Sequence, residues 1–239
     1  MIPSQILRLP KPPELLIQFD YMDKITDKLK EYHRKVFSKY GPTALGVDWS
    51  DEEEVLVRYD KMLKVVDMDF FDGPKRPTIL DVGCGWGGMA KRAQDIELPV
   101  SIIGVDVVEE MIAHAKVEFP EFLFETSDVF TMDEIEAYDF VVCNAILTQK
   151  HDFSIPEMEQ FSKSLIKKMF SLCRYGIAFN MMSTRVNFTV SNLYYQNPLE
   201  LFAWLLNEVS PRVVLDHGYS SLASGVGKFY DFTVYVYKK

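Results

Sequence analysis

The sequence predicts an α/β fold: a mostly parallel sheet with an antiparallel C-terminal strand, preceded by an N-terminal helical cap. Three observations carry this reading. From Thr78 onward, short apolar runs alternate with helical patterns, and near-continuous apolar runs are those of strands covered on both faces. The first run ends in Asp81-Val82-Gly83-Cys84-Gly85-Trp86-Gly87-Gly88, which reads as a strand, a glycine turn and a helix start. The last two runs are separated only by a Gly/Ser-rich loop at about 218–228, too short for a crossover helix, so they pair antiparallel.

The N-terminal section comes first. Residues 1 to about 13 read as an extended arm, because Pro10, Pro12 and Pro13 block helix. Met22, Ile25, Leu29, Tyr32 and Val36 then recur at helical spacing until Gly41-Pro42. Ser50-Asp51-Glu52-Glu53 reads as a capping box opening a second helix, with Val55, Tyr59, Met62 and Val66 on one face. Asp72-Gly73-Pro74 is a turn. The chain therefore divides into an arm and helical cap or lid over 1–75 and a cofactor-binding domain over 76–239.

Strands are expected at 78–82, 101–106, 122–125, 139–144 and 175–180. A helix lies over Glu109 to Val117. Another starts at Ser154, with Pro156 in its first turn and Glu157 completing a capping box. Its apolar face is Met158, Phe161, Leu165, Met169 and Leu172. Asn197-Pro198-Leu199-Glu200 caps a helix running to about Val209. The closing strands are Arg212 to His217 and Phe229 to Tyr237.

The 239 residues are 48% hydrophobic, enough for one large domain or a domain with an appendage. A formal net charge of -9 argues against nucleic acid as a partner, since phosphate backbones attract clustered Lys and Arg. Cys84, Cys143 and Cys173 are an odd, widely spaced set, fitting a reducing compartment and giving no metal-ligand spacing. No apolar run reaches the length of a membrane span, and the N-terminus lacks a signal-peptide core, so a cytoplasmic protein is expected. Oligomeric state stays open, a homodimer included.

The glycine loop alone leaves the cofactor open. Gly83, Gly85 and Gly87 give D-x-G-x-G-x-G, whereas Gly83, Gly85 and Gly88 give the G-x-G-x-x-G dinucleotide fingerprint. Asp106 ends the second strand, where a carboxylate can accept from a ribose diol, in NAD and S-adenosylmethionine alike. Three features choose between them. Asp81 stands before the first glycine, where an anion suits an amino group and not a pyrophosphate. Asp128, in Ser127-Asp128-Val129 after the third strand, can accept from an adenine amino group. The closing antiparallel pair leaves no second domain for a dehydrogenase substrate.

With these residues the sequence resembles the class I S-adenosylmethionine-dependent methyltransferases, of a bacterial small-molecule type, over roughly residues 76–239. The resemblance implies a Rossmann-like, seven-stranded, mostly parallel sheet with one antiparallel strand. It implies that Asp81, Gly83, Gly85 and Gly87 hold the methionyl part, with Cys84 and Trp86 between the glycines, Trp86 either lining the cofactor or only packing. Asp106 would hold the ribose, Val107 would lie against the adenine, and Asp128 and Val129 would bind the adenine edge. Asn144-Ala145-Ile146, at the end of strand four, would face the sulfonium. That run departs from the N-P-P-Y signature of methyltransferases acting on bases, which argues against DNA-adenine methylation.

Around this frame, His151 is the candidate general base for an acceptor hydroxyl. His33, His114 and His217 read as structural. Arg58, with Trp49 in the lid section, is a candidate bidentate partner of the methionyl carboxylate. Arg185 is a candidate for an anionic acceptor. The expected function is transfer of a methyl group from S-adenosylmethionine to a small-molecule acceptor, O-methylation preferred over N. The alternatives are a catalytically silent S-adenosylmethionine-binding regulatory module and an NAD-dependent oxidoreductase.

Overall fold

A computed structural model describes residues 13–49, 51–66, 76–133, 136–218 and 231–238. The helices are α1 (Pro13–Tyr40), α2 (Glu52–Leu63), α3 (Gly88–Asp95), α4 (Glu109–Glu118), α5 (Ile155–Leu172) and α6 (Pro198–Glu208). The strands are β1 (Thr78–Val82), β2 (Ser101–Asp106), β3 (Leu123–Thr126), β4 (Tyr138–Cys143), β5 (Cys173–Ser183), β6 (Tyr195–Gln196), β7 (Arg212–Asp216) and β8 (Asp231–Tyr237).

The sheet order is β3-β2-β1-β4-β5-β8-β7, with β6 paired to β5 off this path. The pairs from β3 to β5 are parallel, and β8 runs antiparallel to both β5 and β7. The fold is the expected α/β sheet, and its path has the expected seven strands. Among the described residues an eighth, β6, lies off that path, parallel to the end of β5 through Met182 and Ser183. Two residues are too few to show a period of two, so β6 left no trace in the sequence pattern.

Local chemistry explains the ends of most elements. Ser154 accepts from Glu157 N–H, and the Glu157 carboxylate accepts from Ser154 N–H in return, completing the expected capping box of α5. Asn197 caps α6 through Leu199 N–H. The cap of α2 is Asp51, accepting from Glu53 N–H at 2.8 Å. Ser50 lies outside the described residues, as do the proline arm before Pro13, the turn at 72–74 and most of the 218–228 loop. Gly41, at φ 65, ends α1 by donating to Phe37 O.

The core lies on both sheet faces. On one side Ile25 and Leu29 of α1 pack with Phe161 and Leu165 of α5, Leu205 of α6 and Leu80, Val141 and Phe179 of the sheet. On the other, Val55, Tyr59, Met62 and Leu63 of α2 join Met89 and Ala93 of α3, Ile112 of α4, and Ile79, Ile102 and Phe140. The N-terminal helices thus supply side chains to both layers, and the C-terminal ends of β1, β2 and β4 open between them.

Candidate active site

At those strand ends the chain leaves an open cleft, lined from the sheet by the ends of β1, β2 and β4 and from the N-terminal helices by Thr26, Leu29 and His33. Its floor is the glycine turn. Gly83 and Cys84 N–H both donate to Val105 O, at 2.8 and 3.1 Å, folding the turn over the end of β2. Gly83, Gly85 and Gly87 have φ of 73, 55 and 91°, all left-handed, where a side chain would strain the backbone. At Gly83 the strain would be compounded: a Cβ would stand 2.5 Å from Ile146 Cδ1.

Asp81 is the most unusual group on the cleft. It is buried, 3% exposed, and its pKa is pushed up to about 8, first by burial and then by the charge of Asp106. No hydrogen-bond donor or cation among the described residues offsets that cost. A cation brought beside it would favour its ionised form. Asp106 is held differently. Its Oδ2 accepts Gly85 N–H and its Oδ1 accepts Val108 N–H, both at 2.9 Å. Burial raises its pKa while these backbone donors lower it. Each oxygen keeps a second lone pair for a ligand hydroxyl. Asp128 caps the turn after β3 by accepting Phe130 N–H at 2.9 Å, so it is both a cap and a cleft residue.

Asp81, Gly83, Cys84, Gly85, Asp106, Val107, Asp128, Val129, Asn144 and Ala145 all line this cleft. Cys84 does so with its thiol turned toward Gly104, whose Cβ, if present, would lie 2.7 Å from the sulfur. Asn144 Oδ1 is buried without a hydrogen-bond partner.

Four expected residues are not on the cleft wall. Gly87 is the left-handed N-cap of α3, closed in by Phe119 and Phe124. Trp86, between two left-handed glycines, projects away and packs edge-on to His114 and beside Phe119, with ring centroids 6.4 Å apart in both cases. Arg58 spends its fork on Asp231, donating from Nε at 2.9 Å and Nη2 at 3.0 Å, so it is not available to a methionyl carboxylate. His151, at φ 47, lies with its ring 4.6 Å from that of Tyr32, and its Nε2 is buried without a partner.

The imidazole on the cleft is His33 of α1, which had read as structural. Burial pushes its pKa down to about 4, opposed by Asp48 and reinforced by His151. It is therefore neutral near pH 7 and able to accept a proton or hydrogen bond. Its helical spacing relative to Leu29 and Tyr32 placed it near the buried face, which was the available signal. Asp48, from the turn after α1, accepts Gln149 Nε2 at 2.6 Å and the Tyr32 hydroxyl, tying α1 to the loop after β4. Arg185 is exposed beyond β5 and off the cleft wall. Among the described residues no Lys or Arg lines the cleft, and no cluster has the makings of a metal site.

The methyltransferase-domain family matches residues 79–169, which span β1 through most of α5. A trans-aconitate 2-methyltransferase of Variovorax paradoxus is 29% identical over 115 residues, covering 47% of this chain but only 41% of that protein. Among solved structures, a magnesium protoporphyrin IX methyltransferase from Synechocystis with bound S-adenosylmethionine aligns with a TM-score of 0.58. It shares 16% identity and covers 92% of this chain and 98% of that one. A plantazolicin methyltransferase in complex with a pentazolic desmethylPZN analog and S-adenosylhomocysteine aligns with a TM-score of 0.59 at 15% identity, covering 94% of this chain and 99% of that one. Identities this low establish a shared fold. No helix among the described residues is long and apolar enough to cross a membrane.

Proposed function

We propose that this chain is a class I S-adenosylmethionine-dependent methyltransferase and that it methylates a small, uncharged acceptor, through oxygen in preference to nitrogen; the match of residues 79–169 to the methyltransferase-domain family and the fold shared with a methyltransferase of known structure support this reading. The observation that carries the cofactor is Asp81, a buried carboxylate beside the glycine turn with no cation of its own. The methionyl ammonium is the cation that fits. Asp106 would take the ribose diol, Val107, Asp128 and Val129 the adenine, and Asn144 Oδ1 the electropositive region around the sulfonium.

S-adenosylmethionine supplies an already activated methyl group. The chain's own work is then alignment and exclusion of water. Thr26, Leu29 and His33 of α1, with Val47 and Trp49, line the cleft opposite the strand ends, which supports a capping role for the section 1–75. Three carboxylates without a Lys or Arg among the described lining residues disfavour an anionic acceptor. A base is needed only for a hydroxyl or a protonated amine, and His33 is the imidazole that reaches the cleft.

Two measurements test this. Asp106→Ala should weaken S-adenosylhomocysteine binding by about 1.5–3 kcal/mol, the worth of a hydrogen bond to a charged group; unchanged calorimetric affinity would remove the ribose assignment. In assays following S-adenosylhomocysteine release with a hydroxyl acceptor, His33→Ala should lose roughly 10²-fold or more in rate at near-constant cofactor affinity. His151→Ala should lose far less. The reverse order would return the base to the loop after β4. Tight cofactor binding without turnover of any acceptor would instead favour the regulatory-module reading.

A further inference from the structure

Three buried polar side chains outside the cleft form one chain of contacts. Arg58, Asp231 and Asn180 are 1%, 2% and 0% exposed, and groups of that kind persist in an apolar interior only where partners hold them. Arg58 of α2 donates to both oxygens of Asp231, the first residue of β8. Asn180, within β5, donates from Nδ2 to Asp231 Oδ2 at 3.2 Å. Its Oδ1 accepts Ala145 N–H at 2.7 Å.

Both ends of this chain stand on the cleft wall. At one end the Arg58 guanidinium carbon lies over the Trp49 ring, 4.0 Å from its centre, a cation–π contact. At the other, Ala145 is held at φ 74, a conformation an alanine adopts at a cost. The next residue, Ile146, presses on the glycine turn at Gly83. Trp49 and Ala145 both line the cleft. Arg58 is fixed further by its Nη1, which donates to Glu54 O at 2.9 Å.

We propose that Arg58, Asp231 and Asn180 are positioning residues, a buried relay that sets Trp49 and the Ala145–Ile146 turn in one mutual register. The relay assembles the cofactor cleft from the N-terminal helices and the sheet together. It rests on the cofactor reading above. A pair present only for stability is replaceable by packed apolar side chains without loss; a relay is not.

The test uses the full chain carrying Trp86→Phe and Trp204→Phe, which leaves Trp49 as its sole tryptophan, with S-adenosylhomocysteine as probe. In this parent the probe should bind and shift the Trp49 emission. Arg58→Lys keeps the charge but loses the planar fork and stacking face. It should fold, bind the probe more weakly than the parent and lose the shift. Arg58→Met with Asp231→Leu should melt at or above the parent's temperature and remain equally defective. Parent-like affinity and emission shift in either folded variant would overturn the relay. If the double variant does not fold, Arg58→Lys decides alone. A parent that fails to bind the probe sinks the cofactor reading separately. The relay then rests on the ligand-free emission maximum of Arg58→Lys, which moves only if the guanidinium holds the indole.

Discussion

Binding of S-adenosylhomocysteine should tighten about tenfold from pH 6 to 7 and about fivefold from 7 to 8, releasing about one proton in the lower part of that range. The reason is Asp81. Its pKa stands at about 8 in the free protein, raised first by burial and then by Asp106. Below that value the carboxyl is mostly protonated and offers an ammonium group little. A bound cation favours the ionised form, so binding expels the proton, and affinity rises with pH until the site is ionised beforehand. Calorimetry in two buffers of different ionisation enthalpy counts the proton. Asp81→Asn should weaken binding roughly 100-fold, in the range for removing one partner of a buried charge pair, and should flatten the pH dependence. Affinity independent of pH over this window, with no proton released, would dismiss Asp81 as the cation site.

The same group makes a linked statement about stability. A carboxyl whose folded pKa exceeds its unfolded value contributes stability that is fully present below the unfolded value and lost as pH rises through the folded one. The free protein's melting temperature should therefore fall between pH 6 and 8. Saturation with S-adenosylhomocysteine should reduce that fall, because the bound cation removes the reason for the raised pKa.

A chain beginning at residue 76 should not fold. Removing the N-terminal section takes Ile25 and Leu29 from one core layer and Val55, Tyr59, Met62, Leu63 and Val65 from the other, all at most 9% exposed. At about 1.5–3 kcal/mol for each large buried side chain, the loss is on the order of 10 kcal/mol. That is comparable to the whole stability of an ordinary domain, about 5–15 kcal/mol. The deletion would also leave Asp231 buried without the Arg58 fork. Denaturant unfolding followed by circular dichroism checks this. A cooperative transition in residues 76–239 would show that the N-terminal section is dispensable to the fold, whatever it does for the cleft.

The architecture was legible because its signals are local. Apolar runs, the capping residues Ser154 and Asn197, and the glycine turn each act within a few residues, and each marked an element of the fold. The acidic residues Asp81, Asp106 and Asp128 were legible for a related reason. In a parallel sheet the C-terminal ends of neighbouring strands lie side by side, so residues at those ends converge wherever they stand in the chain. β6 escaped because two residues show no period.

The placements of Arg58, His33 and His151 differ from the sequence expectation, and that of Trp86 stayed open in it, for one shared reason: they depend on which way a side chain points and what lies there. Arg58 meets a carboxylate 173 residues away. Clues to that contact were present: a charge on the apolar face of α2, an asparagine inside the apolar run of β5 and an aspartate opening β8. Yet nothing local says that these three meet.

What the sequence by itself determined is the order of elements, the glycine turn and the acidic strand ends, because short-range sterics and burial periodicity decide them. Only the tertiary structure decided that His33 rather than His151 faces the cleft, that Trp86 turns away from it, and that Arg58 serves Asp231. Those outcomes depend on helices and strands packing across the whole chain. The physical reason is that a buried charge takes whichever partner the fold brings within reach, and reach is a property of three dimensions.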